Sequence, residues 1–98
     1  MHYMLIYEIA PDYLERRPMF RAEHLALARA AADRGELLAG GAVGEPVEGA
    51  LLLFGGDSPA AAEAFARADP YVRNGLVARW RVAPWRTVVG PLAAEPVG

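Results

Sequence analysis

Apolar positions along this chain first alternate, then recur every three to four residues, then alternate again. Tyr3, Leu5, Tyr7 and Ile9 fall on one face of a period-two segment and Met4 and Ile6 on the other. That predicts a strand over Tyr3–Ile9 that is largely apolar on both sides. Ala10 to Arg17 carries Pro11 and Asp12 and reads as a loop, and Pro18 suits the first turn of a helix. In that helix Phe20, His24, Leu27, Ala28 and Ala31 share one side, while Glu23, Arg29 and Asp33 do not. It is predicted to run to Arg34 and stop at Gly35, a residue suited to the left-handed cap.

Glu36 to Val43 reads as a second strand that dissolves into glycines at Gly40, Gly41 and Gly44. Pro46 to Gly49 turns the chain into a third strand, Ala50 to Phe54, which has no polar position. Ser58 is a candidate N-cap with Pro59 at the first helical position of a second helix reaching Ala68. Its inward residues are Ala61, Ala62, Phe65 and Ala68, and Asp69 continues that stripe until Pro70 breaks it. The last strand spans Val77 to Val89, with Pro84 arguing for an edge position.

The element order β-α-β-β-α-β predicts an α+β, ferredoxin-like domain over residues 1–90, with a loose tail over 91–98. Both helices then cover one face of a four-stranded antiparallel sheet. A wet second face should alternate with polar residues, and here it does not. The simplest cover is a second copy of the chain, packed sheet against sheet as a homodimer in the manner of a dimeric α+β barrel.

Composition narrows the partners. At 54% hydrophobic and 22% charged, the 98 residues suit one well-filled core rather than a disordered chain. No apolar run approaches the roughly 20 residues that span a bilayer, so no membrane role is expected. The opening Met1-His2-Tyr3-Met4 has no signal-peptide pattern. With zero cysteines there are no disulfides or thiolate ligands, in keeping with the cytoplasm. All ten basic residues are arginine, interleaved with acids, so the footprint of a nucleic-acid partner is missing. The glycines make no phosphate-binding loop, and His2 and His24 lack metal-ligand spacing, so neither cofactor nor metal is expected.

The remaining chemistry lies in His24 and Asp69. In this topology the two helices run antiparallel, which brings the second turn of the first helix, with His24, beside the finish of the second, with Asp69. A carboxylate that accepts the hydrogen of one imidazole nitrogen fixes the tautomer and raises the basicity of the other. The alternative is a satisfied core histidine, with Asp69 capping the Pro70 turn. Glu36 is a rival partner for His24. Tyr71 is a candidate cleft wall, Arg21 a candidate anion-binding residue, and Trp80 and Trp85 are candidates for the core or the dimer interface.

Several segments resemble the YCII-related (YciI-like) family: Tyr3-Met4-Leu5-Ile6-Tyr7, Arg21-Ala22-Glu23-His24-Leu25, and Arg34-Gly35-Glu36-Leu37-Leu38-Ala39-Gly40-Gly41. The most specific is Ala68-Asp69-Pro70-Tyr71-Val72, followed by Gly75 and Val82-Ala83-Pro84-Trp85-Arg86. The resemblance implies a dimeric ferredoxin-like fold and a His–Asp active site, falling here on His24 and Asp69. One branch of the family is associated with dehydrochlorination of a chlorinated aromatic diol. This chain departs from longer members in its short Gly44–Gly49 connection. The expectation is therefore a cofactor-free enzyme of lyase or isomerase type acting on a small cyclic molecule, with Tyr71 and Arg21 binding substrate. The rivals are a cofactor-independent monooxygenase of the dimeric α+β barrel type and a non-enzymatic small-ligand-binding dimer.

Overall fold

The computed structural model describes residues 1–97. Strand β1 is His2–Ile9, helix α1 Tyr13–Asp33, β2 Leu37–Val43, β3 Gly49–Gly55, α2 Ala60–Ala68, α3 Pro70–Arg73 and β4 Val77–Trp85. The sheet order is β2-β3-β1-β4, and all three pairings are antiparallel. This is the ferredoxin-like α+β arrangement, with β4 and its Pro84 at an edge, where a missing N–H breaks no interior ladder.

The alternation of β1 sorts the two faces. Leu5 and Tyr7 point to the helices and join Leu52, Phe54, Phe65, Ala66 and Leu76 in the core. Phe54 and Phe65 meet with ring centroids 5.6 Å apart and tie α2 to β3, each burial contributing roughly 1.5–3 kcal/mol. The opposite face carries Met4, Ile6, Leu51, Leu53, Val43, Ala83 and Trp85 and has no helix over it. Trp80 stays on the core side, half-buried, with the Arg67 guanidinium 5.6 Å from its ring centroid. Trp85 lies on the open face and is exposed.

Several boundaries differ from the sequence expectation, each for a local reason. Helix α1 begins at Tyr13 rather than Pro18, because the buried Tyr13 ring anchors an earlier turn and Arg16 N–H donates to Asp12 O at 3.1 Å. Pro18 is accommodated inside the helix, at the cost of a helical donor for the Leu14 carbonyl. His24 therefore sits near the middle of α1 and not in its second turn. Helix α2 starts one residue after Pro59 and buries Ala66, while Ala68 faces solvent.

Pro70 does not end helical structure but opens α3, with Pro at its first position. Strand β2 takes one extra residue at Leu38, since Leu37 pairs with Phe54 and Ala39 with Leu53. The bulge puts Gly40 and Ala42 on the helix side opposite Leu52 and Ala50.

Strand β4 ends at Trp85 instead of Val89, and the segment beyond it folds back. Thr87 Oγ1 accepts from Ala94 N–H at 2.8 Å, and Thr87 O accepts from Glu95 N–H at 3.0 Å. The same hydroxyl lies 2.8 Å from His2 Nδ1, within hydrogen-bond distance. Gly98, the last residue of the predicted tail, lies outside the described residues. No helix of the described chain is long and apolar enough to cross a membrane.

Candidate functional site

Asp69 is the geometric centre of the site, and its sequence neighbours dictate its posture. A residue before proline is pushed out of the helical region, and Asp69 accordingly has φ −66° and ψ 123°. That conformation ends α2 and caps α3 at once. Its backbone N–H still donates to Phe65 O at 2.9 Å, while its Oδ1 accepts from Tyr71 N–H at 3.0 Å.

The other end of α3 is fixed by Gly75, at φ +77°. Gly75 N–H donates to Val72 O at 3.2 Å and Leu76 N–H to Tyr71 O at 2.9 Å, a left-handed C-cap that seats Leu76 in the core. Tyr71 is thus clamped through its own N–H and C=O.

The carboxylate of Asp69 has 0% exposure, and a buried charge needs several donors. It has three. Tyr7 on β1 donates its hydroxyl to Oδ2 at 2.7 Å, Tyr71 N–H serves Oδ1, and His24 Nδ1 lies 2.9 Å from Oδ1 and 3.0 Å from Oδ2. A carboxylate can only accept, so Nδ1 carries the hydrogen, and in the neutral ring Nε2 keeps its lone pair. Nε2 has no hydrogen-bond partner among the described residues.

Capping and pairing with His24 prove to be one arrangement, since the same carboxylate does both. Glu36 is engaged elsewhere, accepting from Arg34 Nε at 3.0 Å.

Aromatic rings fix the imidazole plane. The Tyr71 ring stacks on His24 with centroids 3.9 Å apart and planes 9° from parallel, and Phe65 meets the imidazole edge-on at 6.2 Å. Tyr13 in turn meets Tyr71 edge-on at 5.6 Å. Burial, followed by the charge of Asp69 and their hydrogen bond, drives the Tyr7 phenol far above its ordinary value, so it stays a donor. Burial and nearby Tyr13 also raise Tyr71, against the opposing fields of Arg21 and Arg17. The Tyr71 hydroxyl is buried and has no hydrogen-bond partner.

His24 opens into a cleft of about 240 Å³ between α1 and the β2–β3 side of the sheet. One stripe of α1 lines it: Tyr13, Arg17, Arg21, His24 and Ala28, at successive spacings of four, four, three and four. The floor is Gly40, Ala42, Ala50 and Leu52. Three of these four floor residues are small, and a Cβ on Gly40 would already sit 3.3 Å from Leu52 Cγ.

Tyr71 and Arg21, both singled out from sequence, line this cleft. Tyr7, Tyr13 and Arg17 join them without having been singled out. Tyr7 had a signal, a polar tip on the inward face of β1. Arg17 had none while the helix was expected to start after it. Among the described residues no group of three or more His, Asp or Glu side chains is assembled as a metal site would need.

Comparison with known proteins agrees with this architecture. The model of the YCII-related domain matches residues 1–86, and the chain belongs to that family. None of the curated proteins matches its sequence. Among solved structures it is similar to 5-chloro-2-hydroxyhydroquinone dehydrochlorinase from Burkholderia phenoliruptrix AC1100, in complex with 2,5-dihydroxybenzoquinone. The TM-score is 0.70 at 22% identity, over 87% of this chain and 93% of that one, which is a likeness of fold.

Proposed function

We propose that this YCII-related protein is a cofactor-free enzyme that moves a proton on a small cyclic molecule, with His24 as the general base and acid. The observation that supports it is the unpartnered Nε2 of His24 in a cleft, on a ring whose Nδ1 is held by the buried Asp69. Nε2 takes a proton from a substrate hydroxyl or acidic carbon, and the carboxylate stabilises the imidazolium that forms. In an elimination, the electron pair of the broken C–H bond becomes a double bond as the leaving group departs with its own pair. In an isomerisation, Nε2 returns the proton to a different atom.

Tyr7 and the Tyr71 N–H act through Asp69, holding its carboxylate in place beside Nδ1. The cleft is smaller than the roughly 300–1,000 Å³ of drug-sized sites, which suits a single ring. The neighbouring dehydrochlorinase, crystallised with a ring quinone, makes halogenated hydroxyquinols the first substrates to try.

The working unit in this reading is a cytoplasmic homodimer packed through the open sheet face, where Met4, Ile6, Leu51 and Val43 would otherwise meet water. The test is turnover of a panel of ring-hydroxylated compounds, including 5-chloro-2-hydroxyhydroquinone, with chloride release and oxygen uptake followed together. Turnover without oxygen uptake is expected, falling by at least about 100-fold in His24→Gln. Undiminished turnover in that variant would sink the proposal, and stoichiometric oxygen uptake would transfer it to the monooxygenase class.

A further inference from the structure

Four arginines of this chain are neutralised by neighbours: Arg16 by Asp12, Arg34 by Glu36, Arg73 by Glu23 and Arg79 by Glu8. Of the other six, which have no carboxylate within ion-pair distance among the described residues, only Arg17 and Arg21 line the cleft of His24. They stand one helical turn apart on the α1 stripe that carries His24. Their fields reach the Tyr71 phenol and oppose the rise that burial imposes on it. That phenol, 2% exposed as a residue, has a hydroxyl bonded to nothing in the chain. Two guanidiniums without a carboxylate partner, that of Arg17 lying 5.9 Å from the Tyr13 ring centroid, thus line with Tyr71 a cleft whose walls also include the apolar Leu25, Ala28, Leu37 and Leu52.

A buried polar group without a partner is costly unless something completes it. Planar guanidiniums hold oxyanions through charge-assisted hydrogen bonds. We infer that Arg17 and Arg21 form an anion subsite, completed by the Tyr71 hydroxyl, and that the cleft takes a single-ring molecule carrying a negatively charged oxygen. The cleft volume, about 240 Å³, is the space of roughly eight liquid waters, which admits one substituted ring and little more. The ring lies on the Gly40–Ala42 floor, its oxyanion on the arginines and its reacting edge toward Nε2. The inference rests on the proton-transfer reading for that last orientation alone. Carboxylate and phenolate share the required chemistry.

Benzoate, 4-nitrophenolate and neutral benzamide, titrated into the full chain by calorimetry, separate the possibilities. At least one anion is expected to bind about tenfold or more tighter than benzamide, the scale of a charge-assisted bond. Whichever anion prevails identifies the source of the charge. The double variant Arg17→Gln/Arg21→Gln should abolish that preference while keeping the wild-type circular dichroism and urea midpoint. Arg29→Gln, on an exposed part of the same helix, should preserve it. Equal affinity for anion and amide, no binding of either anion, or a preference that survives in the double variant would each overturn the subsite.

Imidazole nitrogen NMR of the same samples tests the other reading separately. An Nδ1–H tautomer alongside a lost anion preference condemns only the subsite. An Nε2–H tautomer with the preference intact condemns only the proton-transfer assignment.

Discussion

Tyr7 and Tyr71 look alike in the sequence and carry opposite expectations. Tyr7 supplies one of three donors to a fully buried carboxylate, whereas the Tyr71 hydroxyl is buried without a partner. Tyr7→Phe should therefore destabilise the protein by about 1–3 kcal/mol, the cost of leaving a buried charged acceptor short of a donor. Tyr71→Phe should be neutral or stabilising by up to about 1 kcal/mol, because it removes an unmet desolvation penalty. Urea unfolding of both variants decides it, and a larger loss at Tyr71 than at Tyr7 would contradict the geometry.

The same phenols set an alkaline limit. Burial and Asp69 raise Tyr7 above the ordinary 10.0, so above that pH the unfolded chain releases a proton that the folded chain retains. Stability from this source is fully present below pH 10.0 and declines as pH climbs beyond it. Tyr7→Phe should make the alkaline decline shallower, leaving the share that belongs to Tyr71; an identical slope in a urea series across that range would refute the assignment.

At the scale of elements, α3 is the small device on which the site depends. Its four residues are capped at one end by Asp69 and closed at the other by Gly75, so the turn that positions Tyr71 is specified from both sides. A side chain at φ +77° meets the left-handed penalty. Gly75→Ala should cost about 1–2 kcal/mol and loosen the stack of Tyr71 on His24, visible as a changed imidazole chemical shift. Unaltered stability would show that α3 tolerates another C-cap.

Helix α1 contributes in a different way. Extending it back to Tyr13 aligns Tyr13, Arg17, Arg21 and His24 on a single stripe, of which a helix starting at Pro18 would hold only Arg21 and His24. The anchor that decides where α1 begins, burial of the Tyr13 ring against Tyr71, lies 58 residues away along the chain. No local cap signal competes with it, since Asp12 makes no side-chain cap bond.

For the whole molecule, the unanswered surface is the open face of the sheet. Met4 pairs with Leu53 and Ile6 with Leu51 across β1 and β3, giving an apolar patch on the side away from the helices. Contiguous apolar surface of this kind marks an association site, and a two-fold sheet-to-sheet packing would cover it. Analytical ultracentrifugation should find a dimer. Leu51→Arg should shift it to a folded monomer, since Leu51 faces outward and fills no core position. A wild-type monomer that stays soluble at high concentration would end the sheet-burial explanation.

Periodicity, helix stops and strand order were sufficient to determine the architecture. The alternation of β1, the left-handed cap at Gly35 and the apolar run Leu51-Leu52-Leu53-Phe54 are local facts, and the antiparallel ferredoxin-like sheet follows from them. The meeting of His24 with Asp69 was legible too, because helix phase and topology bring those two positions together. Tertiary structure alone decided that Asp69 caps α3 and binds His24 with one carboxylate, that Tyr7 is its third donor, and that Arg17 shares a cleft with Arg21. The reason is physical. Periodicity says which way a side chain points, but a buried charge is satisfied by whichever donors packing delivers, and those come from β1, α1 and α3 at once.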